Sequence, residues 1–209
     1  MRRATRLPTL FVLLAITAIT GCSSSSGSNG QVAKAGDAMP WPAPPDPMRL
    51  ARAAGLTPET AERLEFHVHA HLDVFIDGAH VVVPGGIGID TSDPQVHRGV
   101  INGLPAYGGI TEPCAKPCIS PLHTHDATGV LHTESPTPKE NTLGQFFIEW
   151  DVKLDANCVG TYCKPGTPIA VYVDGKKFDG DPTTIPLSDQ KEIAVVIGKA
   201  PGVIPSTFG

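Results

Sequence analysis

The sequence predicts a mainly β domain of short antiparallel hairpins with one or two short helices, and three observations carry that prediction. From Phe66 to Ile76 apolar and polar residues alternate, broken only at Phe75. Strand-like runs are closed by tight-turn pairs, Asp77-Gly78 and Asp174-Gly175 among them. Helical spacing is confined to a few short stretches. About seven short strands suit either a compact sandwich or small barrel, or a β-grasp-like sheet crossed by one helix.

Composition sets the outer bounds. With 41% hydrophobic and 18% charged residues over 209 positions, the chain reads as one globular domain plus an appendage. A net charge of −5 leaves no basic footprint, so nucleic acid is not an expected partner. At the N-terminus Arg2, Arg3 and Arg6 precede an apolar run, Leu7 to Thr20, too short to remain as a membrane-spanning helix. Ile19-Thr20-Gly21-Cys22 follows and resembles the lipobox of bacterial lipoproteins. That resemblance covers residues 1–22 and implies cleavage before Cys22 and diacylation of Cys22. It further implies an anchor in the membrane and a location at the cell membrane or cell surface, outside the cytoplasm. The plainer alternative is an ordinary secretory signal with a chance cysteine. Residues 23–47 read as a tether, Ser/Gly-rich to about Asp37 and Pro-rich from Met39 to Pro47, which leaves 48–209 as a single His-rich β domain.

The elements follow in order. Asp46-Pro47 has the pattern of an N-cap with Pro at the first helical position, Met48 to Ala54 gives about two turns, and Gly55 is placed to end them. Thr57-Pro58 repeats the signal and predicts a second short helix through Leu64. The strand from Phe66 puts Val68, Ala70, Leu72 and Val74 on one face, and His67, His69, His71 and Asp73 on the other. Asp77-Gly78 turns it into a return strand, Ala79 to Val83, which Pro84-Gly85-Gly86 ends. Residues 89–120 show little periodicity and much Gly and Pro, and predict a long ordered loop. Leu122 to Glu134 reads as a hairpin turning at Asp126-Ala127-Thr128-Gly129. After it, Thr142 can cap a helix over Leu143 to Trp150, with Leu143, Phe146, Phe147 and Trp150 at helical spacing. Ile169 to Val173, a return through Phe178 and a closing strand from Glu192 to Ile197 complete the chain. Val74-Phe75-Ile76-Asp77-Gly78 and Val171-Tyr172-Val173-Asp174-Gly175 are alike, as a duplicated hairpin or as two hairpins of common type would be.

With Cys22 assigned to lipid, Cys114, Cys118, Cys158 and Cys163 remain for an oxidising compartment. Three connectivities are open; Cys114–Cys118 and Cys158–Cys163 are favoured because each pair spans a Pro/Gly-rich loop. A four-cysteine zinc site is the alternative, and the C-x₃-C and C-x₄-C spacings depart from the usual C-x₂-C knuckle.

The histidines point to function. Six of eight lie in two segments, His67/His69/His71 and His123/His125/His132. Counting from the hairpin turn sets His125 opposite Val130 and His123 opposite His132, which places His123, His125, His132 and Glu134 on one face. Alternate residues of a strand stand roughly 6–7 Å apart, close enough for two imidazoles to converge on one ion. Side-by-side rings would repel on protonation unless an electron acceptor sat between them. Neutral imidazole suits Cu or Zn, and Glu134, Asp73 or Asp126 could ligate or orient a ring. His80 and His97 read as ordinary polar residues, His97 without partners in its loop.

His-x-His with a third His on an adjacent strand resembles the zinc ligand set of α-type carbonic anhydrases, and Phe66-His67-Val68-His69 resembles the copper-ligand strand of Cu/Zn superoxide dismutases. The first family expects a longer chain and the second a His-bearing zinc loop, and residues 89–120 supply only His97. A cupin would want Glu soon after its second His, whereas Glu134 comes nine residues after His125. Neither a Gly-x-Ser-x-Gly elbow nor a phosphate-binding Gly loop is present. The leading expectation is a lipid-anchored transition-metal-binding protein, serving metal delivery, buffering, or a structural or redox site, with a metal-transfer or envelope protein as partner. The alternatives are a zinc-dependent hydrolase or lyase that uses a metal-bound water with Glu134 as general base, and an envelope interaction module without metal.

Overall fold

The computed structural model describes Ala33 and residues 36–209. The signal segment, Cys22 and most of the Ser/Gly tether lie outside the described residues. Among the described residues no helix is long and apolar enough to cross a membrane.

The architecture is a seven-stranded mixed sheet with a helix across its apolar face and two small two-stranded sheets beside it, and no closed barrel forms among the described residues. Its centre is β1, Phe66–Ile76. β2, Ala79–Val81, returns antiparallel along the second half of β1 and is shorter than the alternation to Val83 predicts. The turn between them holds Asp77 at φ 51° and Gly78 at φ 84°, the left-handed pair a type I′ hairpin requires. β5 is Leu122–His123 and β6 is Val130–Ser135. β9 is Ile169–Val173, β10 is Lys176–Phe178 and β11 is Lys191–Ile197. The order β10-β9-β11-β1-β6-β5 places β1 inside the sheet. β11 lies parallel to it and sets Glu192 directly beside His71, and β6 lies antiparallel and sets His132 beside His69.

The main core occupies one side, and a smaller cluster of Phe75, Ala194 and Val196 lies on the other. Ala70, Leu72 and Val74 of β1 meet Leu131, Ile193, Val195 and Ile197, and α2, Leu143–Glu149, covers them with Leu143, Phe146 and Phe147. α2 starts as the sequence predicts. The Thr142 side chain accepts from Gln145 N, while Gln145 reaches back to Thr142 N, a complete capping box. Removing a side chain such as Phe146 from water contributes about 1.5–3 kcal/mol. α1, Pro47–Ala53, has Asp46 at its N-cap position, where the carboxylate pairs with Arg49 instead of capping the backbone, and Gly55 (φ 75°) follows its C-cap Ala54.

Four expectations are corrected. Residues 57–64 form no helix, because their backbone is drawn into a bridge with the loop of the first disulfide: Glu59 N donates to Ile119 O at 2.7 Å, and Cys114 N donates to Thr60 O at 2.8 Å. The Pro-rich stretch is laid on the domain rather than held away from it. Trp41 packs edge-on against Trp150 at 5.7 Å, and Trp150 Nε1 donates to the Trp41 carbonyl. Residues 89–120 contain a hairpin, β3 (Val96–Ile101) and β4 (Leu104–Ile110), turned at Asn102-Gly103 with φ 52° and 79°. Most of β3 is exposed, so no apolar alternation marked it. Finally, the 122–134 hairpin pairs only at Leu122 with Thr133 and His123 with His132; Val130 faces His71 of β1, and His125 leaves the sheet.

The two cystine bridges are Cys114–Cys118 and Cys158–Cys163, the latter joining β7 (Cys158–Val159) to β8 (Tyr162–Cys163). Two such bridges fit an oxidising compartment.

Candidate metal centre

The polar face of the sheet carries the site, and register builds it. Opposed residues of paired strands share a face, so His69 of β1, His132 of β6 and His123 of β5 form one row across three strands. His67 and Glu134 form the next row. The rings meet. His132 Nδ1 lies 3.1 Å from His69 Nε2 and 3.3 Å from His67 Nε2, and its ring stacks on His123 at 5.4 Å. Glu134 Oε1 stands 3.3 Å from His67 Nε2, 3.7 Å from His123 Nε2 and 3.9 Å from His132 Nδ1.

His125 arrives by another route. Beyond His123 the chain is pinned to residues 84–88, with Thr124 Oγ1 donating to Pro84 O and Thr124 N to Ile87 O. Gly88 (φ 73°) packs so closely on this segment that a Cβ would strike the Leu122 carbonyl and His123. The β3–β4 hairpin then grips His125 twice: Tyr107 N donates to His125 O at 2.7 Å, and His125 Nδ1 donates to Tyr107 O at 2.8 Å. The ring is thereby turned back until its Nε2 lies 3.2 Å from His123 Nε2.

That contact fixes the chemistry. A carbonyl only accepts, so His125 Nδ1 carries its proton toward Tyr107 O, and His123 Nδ1 carries its proton toward Ser120 O at 2.9 Å. In neutral rings both Nε2 atoms are then bare lone pairs facing each other. No hydrogen bond can join them; only a cation between them, a proton or a metal, relieves the contact. Burial, with His125 close by, presses the His123 pKa down to about 3, and burial with the surrounding rings presses His132 to about 2. Burial also lowers His69. Neutral imidazoles at physiological pH are ligands in waiting. Burial raises the Glu134 carboxyl to about 7, with Glu62 adding to the effect, and its Oε2 has no hydrogen-bond partner.

The nitrogen separations of 3.1–3.3 Å are close to the donor–donor edge of about 3.3–3.4 Å that a tetrahedral ion with 2.0–2.1 Å Zn–N bonds sets up. One ligand atom from each of His123, His125, His132 and Glu134 lies within 4.8 Å of the others, and the same holds for His67, His69 and His132. His132 is common to both sets. Exposure is graded, from His123, fully buried, through His69 and His132 to His67 at the surface.

His71 is not in this cluster. It shares the face, but β6 begins at Val130 opposite it and offers no donor there. Its Nε2 bonds to Thr128 O at 2.8 Å, its Nδ1 meets Glu192 Oε2 at 2.9 Å, and Phe208 and Gly209 cover the ring. Asp126 caps its own turn through Thr128 N rather than approaching a ring. His97 is paired with the Thr111 hydroxyl and His80 with Asp73, so neither is without a partner. Sequence reasoning missed the Ser120 and Tyr107 carbonyls, the Asp189 side chain on His69 N, and Glu192. Asn102-Gly103 was the available signal for the hairpin that brings Tyr107; a main-chain carbonyl has no signature of its own.

Comparison with protein-family models, with curated proteins and with solved structures gives no match, so the functional reading rests on this geometry.

Proposed function

We propose that the chain is an extracytoplasmic transition-metal-binding lipoprotein that takes up a Cu or Zn ion through His67 and His69 and holds it among His123, His125, His132 and Glu134. The observation that carries this reading is the pair of lone-pair nitrogens, His123 Nε2 and His125 Nε2, 3.2 Å apart with both tautomers set by carbonyls. Borderline nitrogen donors with one carboxylate suit Zn(II) or Cu(II), and the three methionines, Met1, Met39 and Met48, lie outside the donor set, which disfavours a Met-based Cu(I) carrier.

Donor number favours binding over catalysis. An open catalytic zinc keeps three protein ligands and a water, whereas four donors converge here with two more beside them. Glu134 Oε1 lies among the nitrogens, as a ligand would, rather than apart from them as a base on a metal-bound water. The graded exposure toward His67 supports exchange with a metal-transfer partner or an envelope protein, more than a sealed structural centre does. The lipid anchor at Cys22 is inferred from the lipobox-like residues 1–22, and the two disulfides agree with a location outside the cytoplasm.

Elemental analysis of untagged protein isolated from the cell envelope, followed by titration of the stripped protein with Zn²⁺ and Cu²⁺, tests the reading. At least one equivalent of Cu or Zn is expected, and His123→Ala should bind one equivalent fewer than the native protein. Less than one equivalent of any transition metal, with no binding tighter than micromolar, overturns it.

A further inference from the structure

We propose that His71, Asp73, His80 and Glu192 form a second, closed site for a divalent cation of the Zn²⁺ class, separate from the six-donor cluster. The four residues come from three strands: His71, Asp73 and Glu192 each place a ligand atom within 4.8 Å of the others, and His80 reaches the group through Asp73. His71 and Glu192 are direct neighbours across the parallel β1–β11 pair, and Asp73 follows His71 by two on the same face. His80 pairs with Phe75 across the β1–β2 turn, which brings its ring diagonally over Asp73. The polar atoms are in direct contact, His71 and Glu192 at hydrogen-bond distance. His71 Nδ1 lies 2.9 Å from Glu192 Oε2 and 3.8 Å from Asp73 Oδ2, and His80 Nε2 lies 3.1 Å from Asp73 Oδ1.

Burial makes the arrangement demanding. Asp73 and Glu192 are 0% exposed and His71 is 2% exposed. Neither Asp73 oxygen has a hydrogen-bond partner, and Glu192 Oε1 has none either. Buried carboxylate oxygens left unpaired are costly, and interiors avoid them unless something cationic answers them. The His71 tautomer points the same way. Its Nε2 donates to the Thr128 carbonyl, which in a neutral ring leaves the Nδ1 lone pair aimed at both carboxylates, the orientation a backbone carbonyl gives a metal-bound histidine. A dication with two carboxylates and two neutral imidazoles is uncharged overall; His71, Asp73 and Glu192 already converge, and His80, beside Asp73, is the fourth donor that would complete a tetrahedral set. Phe208, with its ring 6.0 Å from His71, and Gly209, against the same ring, lie between this group and solvent. No ligand position is left for substrate, so the ion would tie the β1–β2 hairpin to β11.

The competing arrangement is an internal network in which both histidines are protonated against the two carboxylates. Zn²⁺ titration of the full chain separates the two. Asp73→Asn and Glu192→Gln, near-isosteric changes, are each expected to bind one equivalent fewer than the native protein, with the equivalent that His123→Ala removes still present. His123→Ala combined with Glu192→Gln should lose both. If Asp73→Asn and Glu192→Gln fold with unchanged stoichiometry, the second site does not exist. Should either variant fail to fold, the native protein still decides, because Zn²⁺ must shift the ring ¹⁵N resonances of His71 Nδ1 and His80 Nε2. Resonances that stay fixed at zinc saturation overturn the proposal and leave the main cluster untouched.

Discussion

Replacing His132 by alanine removes the ring that both donor sets share, His123/His125/His132/Glu134 and His67/His69/His132. Losing a group that merely orients a ligand weakens metal affinity about 10–100-fold, so loss of a donor is set at about 100-fold, or roughly 2.8 kcal/mol. A ligand bound only by the folded state stabilises by RT ln(1 + [L]/Kd). At free Zn²⁺ of about 1,000 times the native Kd this site contributes about 4.1 kcal/mol to the native protein, and about 1.4 kcal/mol to the variant, whose ratio has fallen to about 10. For a domain of this size each kcal/mol moves the midpoint by about 2–4 °C, so the zinc-induced rise should be about 5–11 °C smaller in the variant. The second group, His71 with Asp73 and Glu192, is intact in both proteins and cancels. His132 also stacks on His123, so the metal-free midpoints will differ slightly, and the comparison is of the rises. Thermal unfolding followed by circular dichroism, with Zn²⁺ and with chelator, provides them. Equal rises in the two proteins would refute the assignment of His132 as a shared donor.

Gly88→Ala should be costly out of proportion to its size. A left-handed backbone and a Cβ driven into the Leu122 carbonyl and His123 together cost about 2–4 kcal/mol, read as a lower urea midpoint, and zinc affinity should fall with it; a midpoint within error of native would contradict the packing. In metal-free protein, His123 and His132, held near 3 and 2 by burial, should stay neutral as the pH falls from 7.5 to 5, where an ordinary imidazole is almost wholly protonated. Their ring ¹H shifts should therefore be flat over that range, and midpoints near 6.5 would show the rings to be solvated. Cys22→Ala should move the protein from the membrane fraction to the soluble one and abolish incorporation of labelled fatty acid; unchanged fractionation would exclude the lipobox reading.

Much of this was legible where burial differs between the two faces of an element. The alternation from Phe66 to Ile76 fixed both the strand and its polar face, and counting from Gly129 placed His123 beside His132. The Thr142 cap and the helical spacing of Phe146 and Phe147 likewise follow from local rules. What was not legible depends on long-range or featureless signals. Nothing local announces that Lys191–Ile197 runs parallel to β1, and only that pairing brings Glu192 to His71. The β3–β4 hairpin, exposed over most of β3, has no apolar period, and only Asn102-Gly103 marked it. His125 was expected to face Val130 by simple register; the bond that pins Thr124 to Pro84, and the contacts of His125 with Tyr107 and His123, outweigh the continuation of a two-stranded pair.

X-ray absorption at the metal edge of zinc-loaded protein tests most directly whether the imidazoles converge on one ion. A shell of nitrogen and oxygen at about 2.0–2.1 Å, with the outer-shell scattering of several imidazole rings that diminishes in His123→Ala, is the expected result. A shell of water oxygens alone, unchanged by that substitution, would contradict it.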